Sequence, residues 1–261
     1  YSMGGMGALQ LLFQHPGRFA AGMGVVGKVD FSFLTDPDTT SWANPGRSMR
    51  YVTDQLWGTV ASNLPTPGGL PVFDLLNDTY LAGTPSTRDL PPVFTVSGKL
   101  DNISGWAEKI PFFESMRDHR RGGTFFWDMR GHLTSGDQLW IPMENPAYLH
   151  RFRLNRSYPA LSHCSLDDDP GDGHAASGDS VGTINGFVEW NPDVVDEHDR
   201  WEAEIHTRGI IRLDQVLYAP DSALVDVTPR RVQRFTVAPY QPVHYRIVSV
   251  LDTSTVRTGI V

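Results

Sequence analysis

The chain has 261 residues, 40% hydrophobic and 20% charged, with a formal net charge of −8. That length suits one large or two ordinary domains, and the composition is globular. The acidic balance argues against nucleic-acid binding, the single cysteine (Cys164) excludes an internal disulfide and a cysteine-based zinc site, and no apolar run has transmembrane length.

The chain opens with Tyr1-Ser2-Met3-Gly4-Gly5-Met6-Gly7-Ala8-Leu9. This has the form of the back half of a nucleophile elbow, a sharp strand-to-helix turn that lifts a serine hydroxyl above a parallel sheet. Gly4 stands two after the serine, Gly5 and Gly7 are expected to keep the first helical turn thin, and residues 8–13 continue as helix. A serine so placed sits at a helix N-terminus, where free N–H groups favour a developing oxyanion. Without an initiator Met or a strand leading into the elbow, the chain reads as the C-terminal part of a longer protein. Taken alone it is expected to have little or no activity, because in such folds the second oxyanion N–H comes from a loop ahead of the nucleophile.

Pro16-Gly17 stops the helix, and residues 19–29 read as a buried strand. Residues 30–90 are punctuated by Pro and Gly and rich in Trp, Asn and Thr, as in a lid or pocket-lining insertion. Pro91-Pro92 starts a second apolar run, 93–97, closed by Gly98. A helix is expected from Trp106 to about Arg120, a third strand over 124–127 and a last helical stretch near 145–153. Past residue 155 helical periodicity disappears: an Asp/Gly-rich loop over 167–179 precedes short alternating runs at 201–205, 223–227, 235–237 and 243–248. Such spacing suggests a β-sandwich. The expected fold class is α/β: residues 1–155 form the C-terminal part of a doubly wound sheet, and 156–261 a smaller, all-β, sandwich-like accessory domain.

A serine nucleophile needs a base within hydrogen-bond reach, and the base needs an orienting carboxylate. Where these follow in the order Ser, Asp, His on loops after successive strands, the candidates here are Ser2, Asp101 just past the second strand and His132 just past the third. The plainer readings are a helix cap for Ser2, a turn residue for Asp101 and a surface histidine for His132. Asp128, four residues before His132, is the rival acid and reads as a local support; His15 and His119 read as caps or solvated side chains. Trp42, Trp57, Trp106 and Trp140 are the notable aromatics. Trp57 and Trp106 are candidates to stack on a sugar or aryl group, against the commoner reading of core or lid packing.

The run Asp167-Asp168-Asp169-Pro170-Gly171-Asp172-Gly173 is oxygen-rich, as Ca²⁺ loops are, but it lacks the Glu at the twelfth position and Pro170 interrupts it. A solvated acidic loop is the preferred reading. Thr228-Pro229-Arg230-Arg231 reads as a strand-edge guard.

The elbow, the Gly98–Asp101 stretch and Arg130-Gly131-His132 together resemble the esterase D / antigen 85-like esterases of the α/β-hydrolase superfamily. The resemblance covers residues 1 to about 153. It implies a mostly parallel, doubly wound sheet and hydrolysis of carboxylic esters or thioesters through an acyl-enzyme, with no metal or cofactor. By matching positions it makes Ser2 the nucleophile, His132 the general base and then acid, Asp101 the orienter, and the Met3 N–H one oxyanion donor. The expected partner is a small-molecule or polysaccharide-linked ester and no nucleic acid; for the β-domain, carbohydrate binding, docking on the catalytic domain and a spacer role all stay open. The alternatives are a serine peptidase of the same superfamily and a non-catalytic binding protein on a hydrolase scaffold. The modular layout favours an extracellular or periplasmic bacterial protein.

Overall fold

The computed structural model describes residues 1–32, 49–132, 146–211 and 216–261. Helix α1 (Met3–Gln14) buries Leu9, Leu12 and Phe13, whose spacing lines one helical face. His15-Pro16 ends it, and a 3₁₀ turn over Pro16–Arg18 feeds strand β1 (Gly22–Val25). The strand is shorter than expected over 19–29 because residues 16–18 curl and Val26 takes φ 45°, outside the extended region. Then come α2 (Met49–Trp57), α3 (Val72–Leu75), α4 (Asp78–Ala82), β2 (Val93–Gly98), α5 (Lys109–Asp118), β3 (Thr124–Asp128) and α6 (Pro146–Leu149). The Asn77 side chain caps α4 by accepting the Tyr80 N–H at 2.9 Å.

Strands β1, β2 and β3 pair in parallel, with Gly22 opposite Val93 and Phe94 opposite Thr124. Parallel pairing sets the C-terminal ends of all three at one edge of the sheet. Both faces of β2 and β3 are buried, which is why they read as unbroken apolar runs. Alternation then divides the core. Val93, Phe125 and Trp127 pack with α1, α4 and α5 through Leu9, Leu81, Phe112 and Met116. Phe94, Val96 and Phe126 point the other way, onto Phe152, Tyr158, Leu161, Phe187 and Trp190.

The rest of the chain comprises β4 (Tyr158–Ser162), β5 (Gly182–Ile184), β6 (Val188–Trp190), β7 (Val195–Asp196), β8 (Trp201–Glu202), β9 (Ile205–Thr207), β10 (Ile210–Ile211), β11 (Leu217–Tyr218), β12 (Asp226–Arg230), β13 (His244–Val248) and β14 (Thr255–Ile260). Strand β5 pairs antiparallel with β3 and completes the sheet order β1-β2-β3-β5, so strand pairing crosses the division expected near residue 156. The other strands form two-stranded antiparallel pairs: β4 with β12, β6 with β9, β7 with β8, β10 with β11 and β13 with β14. The sandwich expected over 156–261 is therefore replaced, among the described residues, by short ribbons. Most of these strands have only two or three residues, the longer ones pair only two by two (β4 with β12, β13 with β14), and residues 158–190 spend their apolar side chains on the central sheet.

The Arg230-Arg231 pair is not an edge guard. Arg230 donates to the Arg120 carbonyl just past α5, and Arg231 to the carbonyls of Pro16 and Phe19 in the turn after α1. These guanidiniums satisfy backbone oxygens beyond helix ends, where cations are favoured. No helix among the described residues is long and apolar enough to cross a membrane.

The glycines of the opening turn are not equivalent. A Cβ on Gly5 would stand 2.9 Å from the Val25 carbonyl oxygen and 3.0 Å from its nitrogen, whereas one on Gly4 meets nothing within 4 Å among the described residues. Both contacts at Gly5 are backbone of a paired strand and cannot yield cheaply. Gly5→Ala is expected to lower stability by about 1–3 kcal/mol. Gly4→Ala should be neutral or stabilising by up to ~1 kcal/mol through helix propensity. Urea unfolding of the two variants checks the difference.

Candidate functional site

Three loops meet at the C-terminal edge of the parallel strands. Ser2 heads α1 with φ 52° and ψ −126°, a conformation costly for a residue with a side chain, about 1–3 kcal/mol. It is held there from both sides: its N–H donates to the Val25 carbonyl at 2.9 Å, and its carbonyl accepts the Met6 N–H at 2.9 Å. The Gly5 N–H bonds to the Tyr1 carbonyl, leaving the N–H groups of Met3 and Gly4, the first in the helix, outside the helical ladder.

Asp101 follows β2 and His132 follows β3, and the two loops are laced together. Lys99 N–H donates to the Asp128 carbonyl at 2.8 Å and Leu100 N–H to the Arg130 carbonyl at 3.2 Å. Only glycine permits that approach at position 98, since a Cβ there would lie 2.2 Å from the Arg130 carbonyl oxygen. The Asp101 carboxylate is turned by two backbone donors, Ile103 N–H and Ser104 N–H, each 2.8 Å from Oδ1. His132 Nδ1 lies 3.0 and 2.9 Å from the Asp101 Oδ1 and Oδ2 atoms. On the far side of the ring, His132 Nε2 is 2.7 Å from the Ser2 Oγ. The three residues thus form a continuous hydrogen-bonded row from a half-buried hydroxyl through a buried imidazole to a buried carboxylate. Such a row can move a proton from the hydroxyl to the ring while the carboxylate fixes the tautomer.

The rival acid is otherwise engaged. Asp128 holds Arg130 in a two-pronged pair, Oδ1 to Nε at 2.7 Å and Oδ2 to Nη2 at 2.8 Å, and also accepts the Arg130 N–H. It shapes the loop that carries His132.

Trp106 is 3% exposed. Its ring packs against Phe113 and Trp127, and its Nε1–H donates to the Pro170 carbonyl at 3.1 Å. This corrects its candidacy for substrate stacking, because the ring is buried among Phe113, Trp127 and the Lys99 ammonium. Trp57 is half-buried at the end of α2, edge-on to Phe31 at 5.4 Å, in a small cluster with Phe73 that Met6 of α1 also joins. Trp42 and Trp140 lie outside the described residues. His15 and His119 are the C-terminal caps of α1 and α5.

The acidic loop folds around an ammonium group. Lys99 Nζ donates to the carbonyls of Ser177, of Asp179 at 3.0 Å and of Pro170 at 3.5 Å, and lies 5.3 Å from the Trp106 ring centre. The carboxylates turn inward to backbone: Asp169 accepts Gly171 N–H, Asp172 accepts His174 N–H, and Asp179 accepts Asp169 N–H. Among the described residues no group of three or more His, Cys, Asp or Glu is arranged to hold a metal ion.

Several neighbours carried no signal in the sequence. The Tyr1 phenol donates to the His132 carbonyl, and behind Asp101 lie Ser104, Glu108, Lys109 and Lys28. Burial opposes the Glu108 charge, but Lys109 and Lys28 outweigh it and hold that carboxylate below its ordinary range. Burial pushes the Lys109 amine down against the pull of Glu108. A Glu-Lys pair opening a helix ordinarily reads as solvated.

No family model and no curated protein matches the chain. Among solved structures, the chain is similar to a protein provisionally described as a dipeptidyl aminopeptidase IV from Bacteroides ovatus: 18% identity and a TM-score of 0.38, over 52% of this chain and 16% of that one. The chain thus spans less than a fifth of that structure, and at this TM-score the likeness carries no argument.

Burial lifts the Asp167 carboxyl from 3.8 to about 6, although it accepts the Asn185 N–H at 2.6 Å. The folded chain therefore holds this proton more tightly than the unfolded one. The stabilisation is complete below 3.8 and is lost as pH rises through about 6. Asp167→Asn should be more stable than the parent at neutral pH and match it in acid. Unfolding midpoints on either side of that window check this.

Proposed function

We propose that this chain carries the chemistry of a serine hydrolase of the α/β-hydrolase type, cleaving carboxylic esters or thioesters. The observation that carries the reading is the hydrogen-bonded row Ser2–His132–Asp101, with the serine in a strained turn at the head of a helix. In this reading His132 Nε2 takes the Ser2 proton as Oγ attacks the acyl carbon. The Met3 N–H, in the first turn of α1 where N–H groups have no intrahelical acceptor, donates to the oxyanion, and Asp101 stabilises the imidazolium. Collapse of the tetrahedral intermediate releases the alcohol or thiol, which His132 protonates. Water then repeats the sequence on the acyl-enzyme, with His132 again as base. Trp57, in one cluster with Met6 of α1, is the aromatic side chain that this reading assigns to the substrate pocket.

A fluorophosphonate should label Ser2 covalently, and the label should be absent from Ser2→Ala. In a protein that also supplies the second oxyanion N–H, hydrolysis of p-nitrophenyl acetate and butyrate should fall by roughly four to six orders of magnitude in Ser2→Ala and His132→Ala. Asp101→Asn should lose about 10⁴-fold. A folded protein that is not labelled at Ser2 and hydrolyses no ester even with the second oxyanion donor supplied would move the binding-scaffold reading ahead; turnover of a peptide amide in preference to esters would move the peptidase reading ahead.

A further inference from the structure

Beside the Asp101 loop, one buried ammonium touches two of the loops that make the site. Lys109 is 2% exposed, and its Nζ has three acceptors: the Gly27 carbonyl at 2.7 Å, Ser104 Oγ at 3.1 Å and Glu108 Oε1 at 2.5 Å. Gly27 belongs to the turn that backs the nucleophile. A Cβ there would stand 2.8 Å from the Met6 nitrogen, and the preceding Val26 holds a positive φ that a β-branched residue keeps only under constraint. Ser104 belongs to the acid loop, and its N–H is one of the two that turn the Asp101 carboxylate.

The charges around this point do not cancel in pairs. Glu108 is shared between Lys109 and Lys28, while its Oε1 also accepts the Val29 N–H at 2.9 Å. Two cations therefore face one anion, and the buried carboxylate next along the bonded path is Asp101. A purely structural pair would need no second cation, and buried pairs are commonly replaceable by apolar residues at little cost. Asp78 and Asp30 also lie in this field, but burial raises both carboxyls, Asp78 strongly, which weakens their claim on the surplus charge. On the β3 side, Asp128 and Arg130 neutralise each other.

We propose that Lys109, acting through Ser104, is a positioning residue that sets the Asp101 carboxylate on the His132 ring and ties the acid loop to the nucleophile turn. This rests on the serine-hydrolase reading of the same site.

Ser104→Ala tests it on the full chain, because it cuts the Lys109 bond without removing a charge. The variant should keep a cooperative thermal transition. The rate of fluorophosphonate labelling at Ser2 under saturating probe should fall about tenfold, with the probe concentration for half-maximal rate unchanged. A looser Asp101 stabilises the imidazolium less, so the pH midpoint of labelling and the His132 titration followed by NMR should both move to lower pH. Lys109→Met should also slow labelling, and adding it to Ser104→Ala should cost less than the product of the two single effects. If Lys109→Met does not fold, Ser104→Ala decides alone. An unchanged labelling rate and an unchanged His132 titration in Ser104→Ala would overturn the proposal. If the parent chain is never labelled, the hydrolase reading fails on its own account. The NMR titration needs no turnover, so it still decides whether Lys109 and Ser104 govern the Asp101–His132 pair.

Discussion

Parallel pairing of β1, β2 and β3 is the constraint on which the rest of the structure depends. Each strand must be entered from the far edge, so the chain returns across the sheet through α4 before β2 and α5 before β3. Every loop leaving a strand then opens at the same edge. Ser2 reaches that edge by bonding to the end of β1, Asp101 by following β2 and His132 by following β3. Backbone hydrogen bonding thus brings together three residues separated by as many as 130 positions.

The second layer of control is steric and electrostatic. Gly5 and Gly98 are close approaches in which a methyl group would meet backbone, so α1 sits tightly on β1 and the acid loop sits tightly on the His132 loop. Beneath them, buried charge is arranged in bonded chains. Asp128 with Arg130 shapes one loop, and Glu108 with Lys28 and Lys109 lies behind another. Lys99 draws the Asp167–Asp179 segment onto the same end of the sheet, two residues from Asp101. That segment, rich in carboxylates, is thereby part of the support under the candidate site.

Much of the chain between residues 158 and 231 is bound into this support. Strand β5 forms the edge of the central sheet, residues 158–190 cover one of its faces, and Arg230 and Arg231 reach back to carbonyls beyond α5 and α1. Burial of the Tyr158 phenol, which donates to the Leu90 carbonyl, shows how far this covering layer is dried out; the phenol is pushed well above its ordinary range.

The amino-acid sequence by itself determined the features that depend on local chemistry. Small residues after Ser2 mark a sharp turn, the apolar runs at 93–97 and 124–127 mark strands buried on both faces, and Gly98 and Gly131 place Asp101 and His132 on loops just beyond them. Tertiary structure alone decided what depends on distant partners. Trp106 reads the same in sequence whether it lines a pocket or fills a core, and only its packing with Phe113, Trp127 and Lys99 buries it. Arg230 and Arg231 look like an edge guard until the ends of α1 and α5 supply carbonyls for them. The alternating runs after residue 200 satisfy the pattern of a sandwich, yet the strands described there pair only two by two, and two-stranded ribbons do not make stacked sheets. Glu108 and Lys109 carry no sequence signal, because a charged pair at a helix start is ordinarily solvated. Their burial follows from where the acid loop and the turn at Gly27 close over them, a long-range outcome that no local pattern encodes.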